Sequence, residues 1–193
     1  CSNDPEKVIE HAKIFIKAHR ENKVITCGKH FPGLGSASGD THEGITDISN
    51  SWTVKDLQPF DKLIQNNELD TVMVSHAFDK KLDPDYPSSL SQNIITKMLR
   101  NDLGFEGVII CDDPSMRAIS DHYSLEETFK LMLDAGVDLF CLGNNLIYDP
   151  DYIPNAIKSV CDLISAGKIK KERIEQSIDK IELLKSNYGI GKK

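Results

Sequence analysis

Several patterns that assign proteins to common functional classes are missing from this sequence. No apolar run approaches the roughly 18 residues that a membrane-spanning helix needs. The chain has no basic run and no alternation of Lys and Arg with aromatic residues, and its formal net charge is -7. No Gly-x-Gly-x-x-Gly motif follows a predicted strand. We therefore expect no membrane, nucleic acid or nucleotide among its partners.

The spacings typical of metal sites and of disulfide frameworks are absent as well. The chain has five cysteines, at positions 1, 27, 111, 141 and 161. It contains no Cys-x-x-Cys and no His-x-x-x-His pair, which are common spacings of zinc ligands. An odd cysteine count, with three cysteines inside apolar runs, favours buried free thiols. We expect no metal and no cofactor.

The composition is that of an ordinary globular domain. Of the 193 residues, 39% are hydrophobic and 27% are charged. The first residues, CSNDPEKVIEHAK, are polar and then amphipathic, unlike a secretory signal. We expect a cytoplasmic protein, or a secreted or cell-envelope protein if a longer form carries a signal.

Helical and extended patterns alternate along the chain. Short, continuous apolar segments predict four strands, at 24–31, 71–78, 107–113 and 138–145. The helical pattern predicts helices at 5–21, 54–66, 92–100, 125–135, 154–166 and 172–188. Asp4 and Thr53 are the expected N-caps of the first two helices. The predicted buried face of the first helix consists of Val8, Ile9, Ala12, Phe15 and Ile16.

This order of elements predicts an α/β fold with a parallel sheet. Strands that are apolar throughout are typical of a sheet covered on both faces. A closed (β/α)8 TIM barrel has eight strands and about 250 residues. The four predicted strands therefore leave two alternatives, half of such a barrel or a small open sheet.

Polar residues cluster where each predicted strand ends, which is where TIM barrels carry their active sites. The residues at these ends are Lys29 and His30, Ser75 and His76, Asp112 and Asp113, and Asn144 and Asn145. Asp112 follows an apolar run, so its carboxylate needs a partner or a use. Asp112 and Asp113 point to opposite sides of an extended strand, so only one of them can face a barrel centre.

Asp40 and His42 stand two residues apart in a glycine-rich loop. In an extended segment they share a side, so the carboxylate can orient the imidazole and raise its basicity. Such a pair can act as general acid and then general base, opposite a carboxylate nucleophile at an anomeric carbon. Two alternatives are an Asp that caps a turn beside a surface His, and a metal-dependent hydrolase built on His30, His42, His76 and Asp112.

Three segments together resemble glycoside hydrolase family 3, in its β-N-acetylhexosaminidase branch. KHFPGLGSASGDTHEG (29–44) resembles the family's loop signature, DTVMVSHAF (70–78) its Thr-Ala-His strand, and GFEGVIICDDPSMRAI (104–119) its nucleophile strand. Three positions depart from the family pattern: Leu34 replaces His, Ser36 replaces Asp and Pro114 replaces Leu.

The resemblance implies a retaining hydrolase that removes terminal β-linked N-acetylglucosamine, as in peptidoglycan fragments. It implies Asp112 as nucleophile and His42 as acid/base with Asp40 as its partner. Lys29 and His30 would hold sugar hydroxyls. His76 and Met116 complete the predicted substrate-binding set. The alternatives are a β-N-acetylglucosaminide phosphorylase and an inactive half-barrel that serves in binding or assembly.

The resemblance also indicates which half of the barrel is present. Residues 1–193 match the C-terminal part of the family's barrel, about four βα units. The expected partners are therefore a saccharide containing N-acetylglucosamine and either the N-terminal half-barrel or a second copy of this chain. We expect little or no activity without that other half.

Overall fold

The computed structural model describes residues 2–37, 44–144 and 148–191. In these ranges the helices are α1 (Pro5–Glu21), α2 (Val54–Gln65), a π-helix (Asn93–Asp102), α3 (Arg117–Ser120), α4 (Leu125–Ala135), α5 (Tyr152–Ser165) and α6 (Lys171–Asn187). The strands are β1 (Cys27–Phe31), β2 (Thr71–Val74), β3 (Val108–Cys111) and β4 (Leu139–Phe140). A 3-10 turn spans Ser88–Leu90. No helix in these ranges is long and apolar enough to cross a membrane.

The four strands form one parallel sheet in the order β1-β2-β3-β4, as the alternation of elements predicts. Thr71 to Val74 pair in register with Val108 to Cys111, while β3 and β4 share only two residue pairs. The register between β1 and β2 shifts at His30, between Lys29 and Phe31. β1 and β4 are the edges of this sheet.

The strands are shorter than predicted because the segments at their ends do not pair with a neighbouring strand. The first begins at Cys27 rather than at residue 24, and the last ends at Phe140 rather than at residue 145. Beyond β2 the backbone still makes contacts, since Ser75 N donates to Phe31 O and Phe78 forms an isolated bridge with Asp47. An apolar run predicts burial well but does not set the residue at which strand pairing stops.

Most of the core lies between one face of the sheet and the helices. Val72, Val74, Ile109 and Cys111 are fully buried on that face. They pack in one cluster with side chains of α2, the π-helix and α4, such as Phe60, Ile94, Ile95, Leu99 and Met132. On the opposite face Leu139 is 43% exposed. The prediction of buried cysteines holds for Cys111 and is wrong for Cys27, which is exposed.

The local helix signals read from the sequence are confirmed. Asp4 accepts from Glu6 N at the start of α1, and Thr53 forms a capping box with Asp56 at the start of α2. The predicted buried face of α1 is only partly correct. Ile9 and Ile16 are buried with Leu63, but Phe15 is 58% exposed, and its ring lies against His19.

Asp138 ties four elements together at the start of β4. Its side chain accepts from Arg100 of the π-helix at 2.6 Å, from the backbone of Ile109 in β3 at 3.0 Å and from Ser177 of α6 at 2.8 Å. Arg173 lies 3.6 Å from the same carboxylate. Because both oxygens of this buried carboxylate accept hydrogen bonds and two Arg side chains lie beside it, the cost of burying its charge is offset.

Candidate active site

Asp112 lies directly after β3 with its side chain only 19% exposed. Its backbone N donates to Val74 O at 3.0 Å, so the residue is held by the neighbouring strand. Oδ1 accepts from the backbone N of Asp113 at 2.9 Å. Oδ2 lies 3.6 Å from Nε2 of His30. His30 belongs to β1, which is separated from β3 by β2 in the sheet. One carboxylate oxygen is thus held by a backbone donor, while the other lies near the imidazole of His30.

The adjacent carboxylate, Asp113, serves a different purpose. It is 7% exposed, and its two oxygens accept from Ser115 N at 2.9 Å and Gly143 N at 3.1 Å. The two neighbouring carboxylates therefore have different partners. Asp113 instead ties the turn after β3 to the segment after β4.

The residues predicted to hold sugar hydroxyls both lie at the end of β1. Lys29 is exposed, and the His30 side chain is 29% exposed. The peptide bonds Lys29–His30 and Phe31–Pro32 are cis. The side chain of His30, from β1, lies close to that of Asp112, which follows β3.

Cys141, in the loop after β4, is influenced by charges of both signs. Burial raises the pKa of Cys141, and the negative charges of Asp113 and Asp112 raise it further, whereas Lys29 lowers it.

His76 is not placed for direct contact with a sugar. It is 0% exposed, and both ring nitrogens have protein partners. Nδ1 lies 2.7 Å from Oγ of Ser89, and Nε2 lies 2.9 Å from the backbone O of Asp113. The predicted sugar contact is therefore corrected, because the ring lies behind the turn that carries Asp112. Burial lowers the pKa of His76, and this effect outweighs the Asp113 hydrogen bond and the carboxylate charges, which raise it.

Met116 is not placed for contact with a sugar either. It is 2% exposed and stands at the N-cap of α3, with its backbone N donating to Asp113 O at 3.0 Å. Its predicted contact with substrate is corrected to a place in the core beneath the turn. The short helix α3 has no period long enough for sequence analysis to find it.

Asp40 and His42 lie outside the described residues, in the gap 38–43. The chain on the N-terminal side of this gap is anchored on α2. Ser36 Oγ donates to Oδ1 of Asp56 at 2.9 Å, and Oδ2 of the same carboxylate accepts from Thr53. Ser36, one of the departures from the family pattern, is thereby given a structural role. Sequence analysis missed Asp56, although its position three residues after Thr53 signals a capping box.

The C-terminal side of the gap is anchored on the segment after β2. Phe78 N donates to Thr46 O at 2.9 Å, and Ile48 N donates to Phe78 O at 2.8 Å. Near the first anchor, Trp52 Nε1 donates to Pro32 O at 3.1 Å. The loop that carries the predicted acid/base pair therefore begins and ends on well-defined structure.

A cavity of about 600 Å³ lies beside β1, between α1 and α2. Lys29 and His30 border it, together with Gly33 and Ser36 of the anchored loop. Asp112 is not among its lining residues, so this space lies along the open edge of the sheet and not over the carboxylate. Within the described ranges, no three His, Cys, Asp or Glu residues come together as a metal site.

The geometry joins a carboxylate after β3, a His and a Lys at the end of β1, and an anchored glycine-rich loop. Residues 1–184 match the family model described as the glycosyl hydrolase family 3 N terminal domain. The chain belongs to glycosyl hydrolase family 3. Membership confirms the predicted α/β fold, in which the four parallel strands are part of a TIM-type barrel.

Known relatives agree with this assignment. A protein named Beta-hexosaminidase from Photobacterium profundum is 38% identical over 145 residues, which are 75% of this chain and 43% of that protein. The beta-N-acetylglucosaminidase from Thermotoga maritima superposes with a TM-score of 0.82 at 32% identity, covering 98% of this chain and 40% of that one. CbsA from Thermotoga neapolitana gives a TM-score of 0.86 at 32% identity, covering 95% of this chain and 42% of that one. The chain thus spans less than half the length of these relatives.

Proposed function

We propose that this chain carries the nucleophile side of a retaining hydrolase that removes terminal β-linked N-acetylglucosamine. The observation that supports this most is the division of labour between two adjacent carboxylates. Both carboxylate oxygens of Asp113 accept from backbone donors, while Oδ2 of Asp112 lies near the imidazole of His30. The names of the relatives from Photobacterium profundum and Thermotoga maritima support the substrate class.

In the first chemical step, Oδ2 of Asp112 attacks the anomeric carbon and forms a glycosyl ester. The glycosidic C–O bond breaks, and its electron pair stays on the leaving oxygen. That oxygen takes a proton from His42, which Asp40 orients. The hydrogen bond from Asp113 N to Oδ1 holds the carboxylate in one rotamer, so the other oxygen is presented to the sugar.

In the second step, His42 removes a proton from water as the water oxygen attacks the same carbon. The ester bond to Asp112 breaks, and the carboxylate and the free sugar are released. Lys29 and His30 would bind hydroxyls of the ring and orient it for both steps. The roles of His42 and Asp40 come from the sequence resemblance, since both lie in the gap 38–43.

We also propose that activity requires further βα units at the open edges β1 and β4. An N-terminal half-barrel or a second copy of this chain would supply them. The cavity along β1 and the exposed Leu139 in β4 are surfaces that such units would cover. Unpaired edge strands of this kind are normally paired or covered in folded proteins.

The first prediction concerns the nucleophile. With an aryl β-N-acetylglucosaminide as substrate and the other half of the barrel supplied, Asp112→Asn should abolish turnover because the amide cannot form the ester. Asp121→Asn, an exposed Asp nine positions further along the chain, is the matched control and should keep the wild-type rate. Release of sugar is measured by the chromophore of the aryl group.

An Asp112→Asn variant that keeps the wild-type rate would discard the mechanism. Formation of a sugar 1-phosphate on addition of phosphate would indicate the phosphorylase instead. Absence of turnover in the wild type with the other half present would favour the inactive binding or assembly module.

A further inference from the structure

We propose that His76 and Ser89 are positioning residues that hold Asp112 in its reactive orientation through the backbone of Asp113. This inference rests on the proposed role of Asp112. It concerns how that carboxylate is held, and it replaces the sugar contact first predicted for His76. Neither residue touches the substrate in this account.

The contacts of the ring define a single tautomer. The backbone O of Asp113 can only accept, so the Nε2 that lies 2.9 Å away must carry the proton. A neutral ring then has a bare Nδ1, which accepts from the hydroxyl of Ser89 at 2.7 Å. The direction of both hydrogen bonds follows from the acceptor-only character of one carbonyl.

The chain of contacts reaches Asp112 in two steps. The Asp113 carbonyl accepts from His76 and also from Met116 N at 3.0 Å, so both of its lone pairs are engaged. The N–H of the same residue donates to Oδ1 of Asp112 at 2.9 Å. A shift of the Asp113 backbone would therefore move the donor that fixes the Asp112 carboxylate.

The pair is fully enclosed, since His76 and Ser89 are both 0% exposed. Ser89 belongs to the 3-10 turn at the end of the loop that follows β2. Its neighbour Ser88 donates to Ala77 O at 2.8 Å and anchors the turn against the residue after His76. The loop after β2 thus supports the turn after β3 from behind.

The charged and titratable groups that act on the ring are Asp112, Asp113 and His30. The two carboxylates favour protonation, and burial opposes it more strongly. A neutral His76 makes directed hydrogen bonds without forming an ion pair that would compete for the nucleophile. This is a physical reason for a buried imidazole at this position.

The tautomer can be tested on this chain alone. Two-bond proton–nitrogen spectra of the nitrogen-15-labelled protein should show His76 as the neutral Nε2–H form at about pH 8, with a titration midpoint below the ordinary value of about 6.5. The signal is assigned by its loss in His76→Gln. An Nδ1–H tautomer at that pH, or a titration midpoint at or above the ordinary value, would overturn the proposal.

Kinetics can separate positioning from packing. In Gln the side-chain N–H lies about where His carries Nε2, whereas Asn reaches only the place of Nδ1. His76→Asn should therefore lower kcat by about 100-fold, the cost of misplacing a reacting group by about 1 Å, with a smaller change in KM. His76→Gln should retain much more of kcat, and His11→Gln, at an exposed site on α1, should match the wild type.

Equal losses of kcat in His76→Gln and His76→Asn would show that the ring only fills space, and would overturn the proposal. Thermal unfolding of each variant, measured in parallel, shows whether the protein is folded at the assay temperature. If the wild type with its other half shows no turnover, the proposed function fails. The tautomer then decides the His76 proposal by itself.

Discussion

At the scale of single residues, four acidic or imidazole groups lie close together at the ends of β1, β2 and β3 and have different tasks. Among the described residues, the side chain of Asp113 accepts from the backbone N of Ser115 and of Gly143, and the ring of His76 bonds to Ser89 and to the backbone O of Asp113. Asp112 and His30 are the pair that remains partly exposed. Burial and local donors thus separate the groups that hold the structure from those that can meet a ligand.

The environment of His76 predicts how stability depends on pH. The pKa of the folded-state ring is lowered by burial, so between that value and the ordinary value of about 6.5 only the unfolded chain binds the proton. The contribution of this group is present above about pH 6.5 and is lost as the pH falls below it. One proton accounts for a slope of at most about 1.4 kcal/mol per pH unit.

Urea unfolding of this chain at a series of pH values measures that slope. In His76→Gln the part of the slope that comes from the ring should vanish, while His11→Gln should follow the wild type. Identical pH dependence of the wild type and His76→Gln would contradict the expectation.

At the scale of elements, the loop after β1 depends on close contact with the start of α2. Gly33 has φ 114°, and a Cβ there would lie 2.4 Å from Asp56 O. Such a distance is too short for any side chain, so the backbone of the loop would have to move. The side chain of Asp56 also accepts the hydrogen bond from Ser36 that anchors the loop on the N-terminal side of the gap 38–43.

Gly33→Ala should therefore destabilise the chain more than Gly104→Ala. Gly104 also has positive φ, at 71°, but has nothing within 4 Å of the added Cβ. The control thus isolates the cost of the conformation, roughly 1–2 kcal/mol, from the clash with α2. Free energies of unfolding from urea titrations give both values, and equal losses would show that the contact with Asp56 does not constrain the loop.

Prediction of elements succeeded where the signal is local. The limits of α1 agree at both ends with those read from the Asp-Pro start and the apolar spacing. The predicted strands are too long, because pairing ends where a neighbouring strand ends. The sequence of one strand does not give the length of its neighbour. The prediction that Phe15 is buried is wrong, because its burial depends on what packs against α1 and not on the helical period alone.

At the scale of the whole molecule, the sheet has two edges, and the helices next to the edge strands along the chain carry exposed apolar side chains. Phe15 on α1 is 58% exposed, and Ile157 on α5 is 60% exposed. α1 precedes the edge strand β1, and α5 follows the edge strand β4. Apolar groups beside unpaired strands favour association with another chain.

This chain alone should therefore self-associate, with a mass that rises with concentration in light scattering after size-exclusion chromatography. Replacing both Phe15 and Ile157 by Gln should reduce the association. Leu183→Gln, which changes a residue that is 64% exposed on α6, is the matched control and should leave it unchanged, because α6 contacts the interior strand β3. A mass that stays monomeric at all concentrations would contradict the expectation.

By itself the sequence determined the six longer helices, the N-caps of α1 and α2, the parallel βα order and the place of Asp112 at the end of β3, because these follow from hydrogen bonding and apolar spacing among near neighbours. The tertiary structure decided which carboxylate remains available. The side chain of Asp113 accepts from Gly143 N, which lies 30 positions further along the chain. The backbone O of Asp113 accepts from His76, which lies 37 positions earlier. Such contacts depend on how β2, β3 and β4 lie side by side, and no local pattern encodes that arrangement.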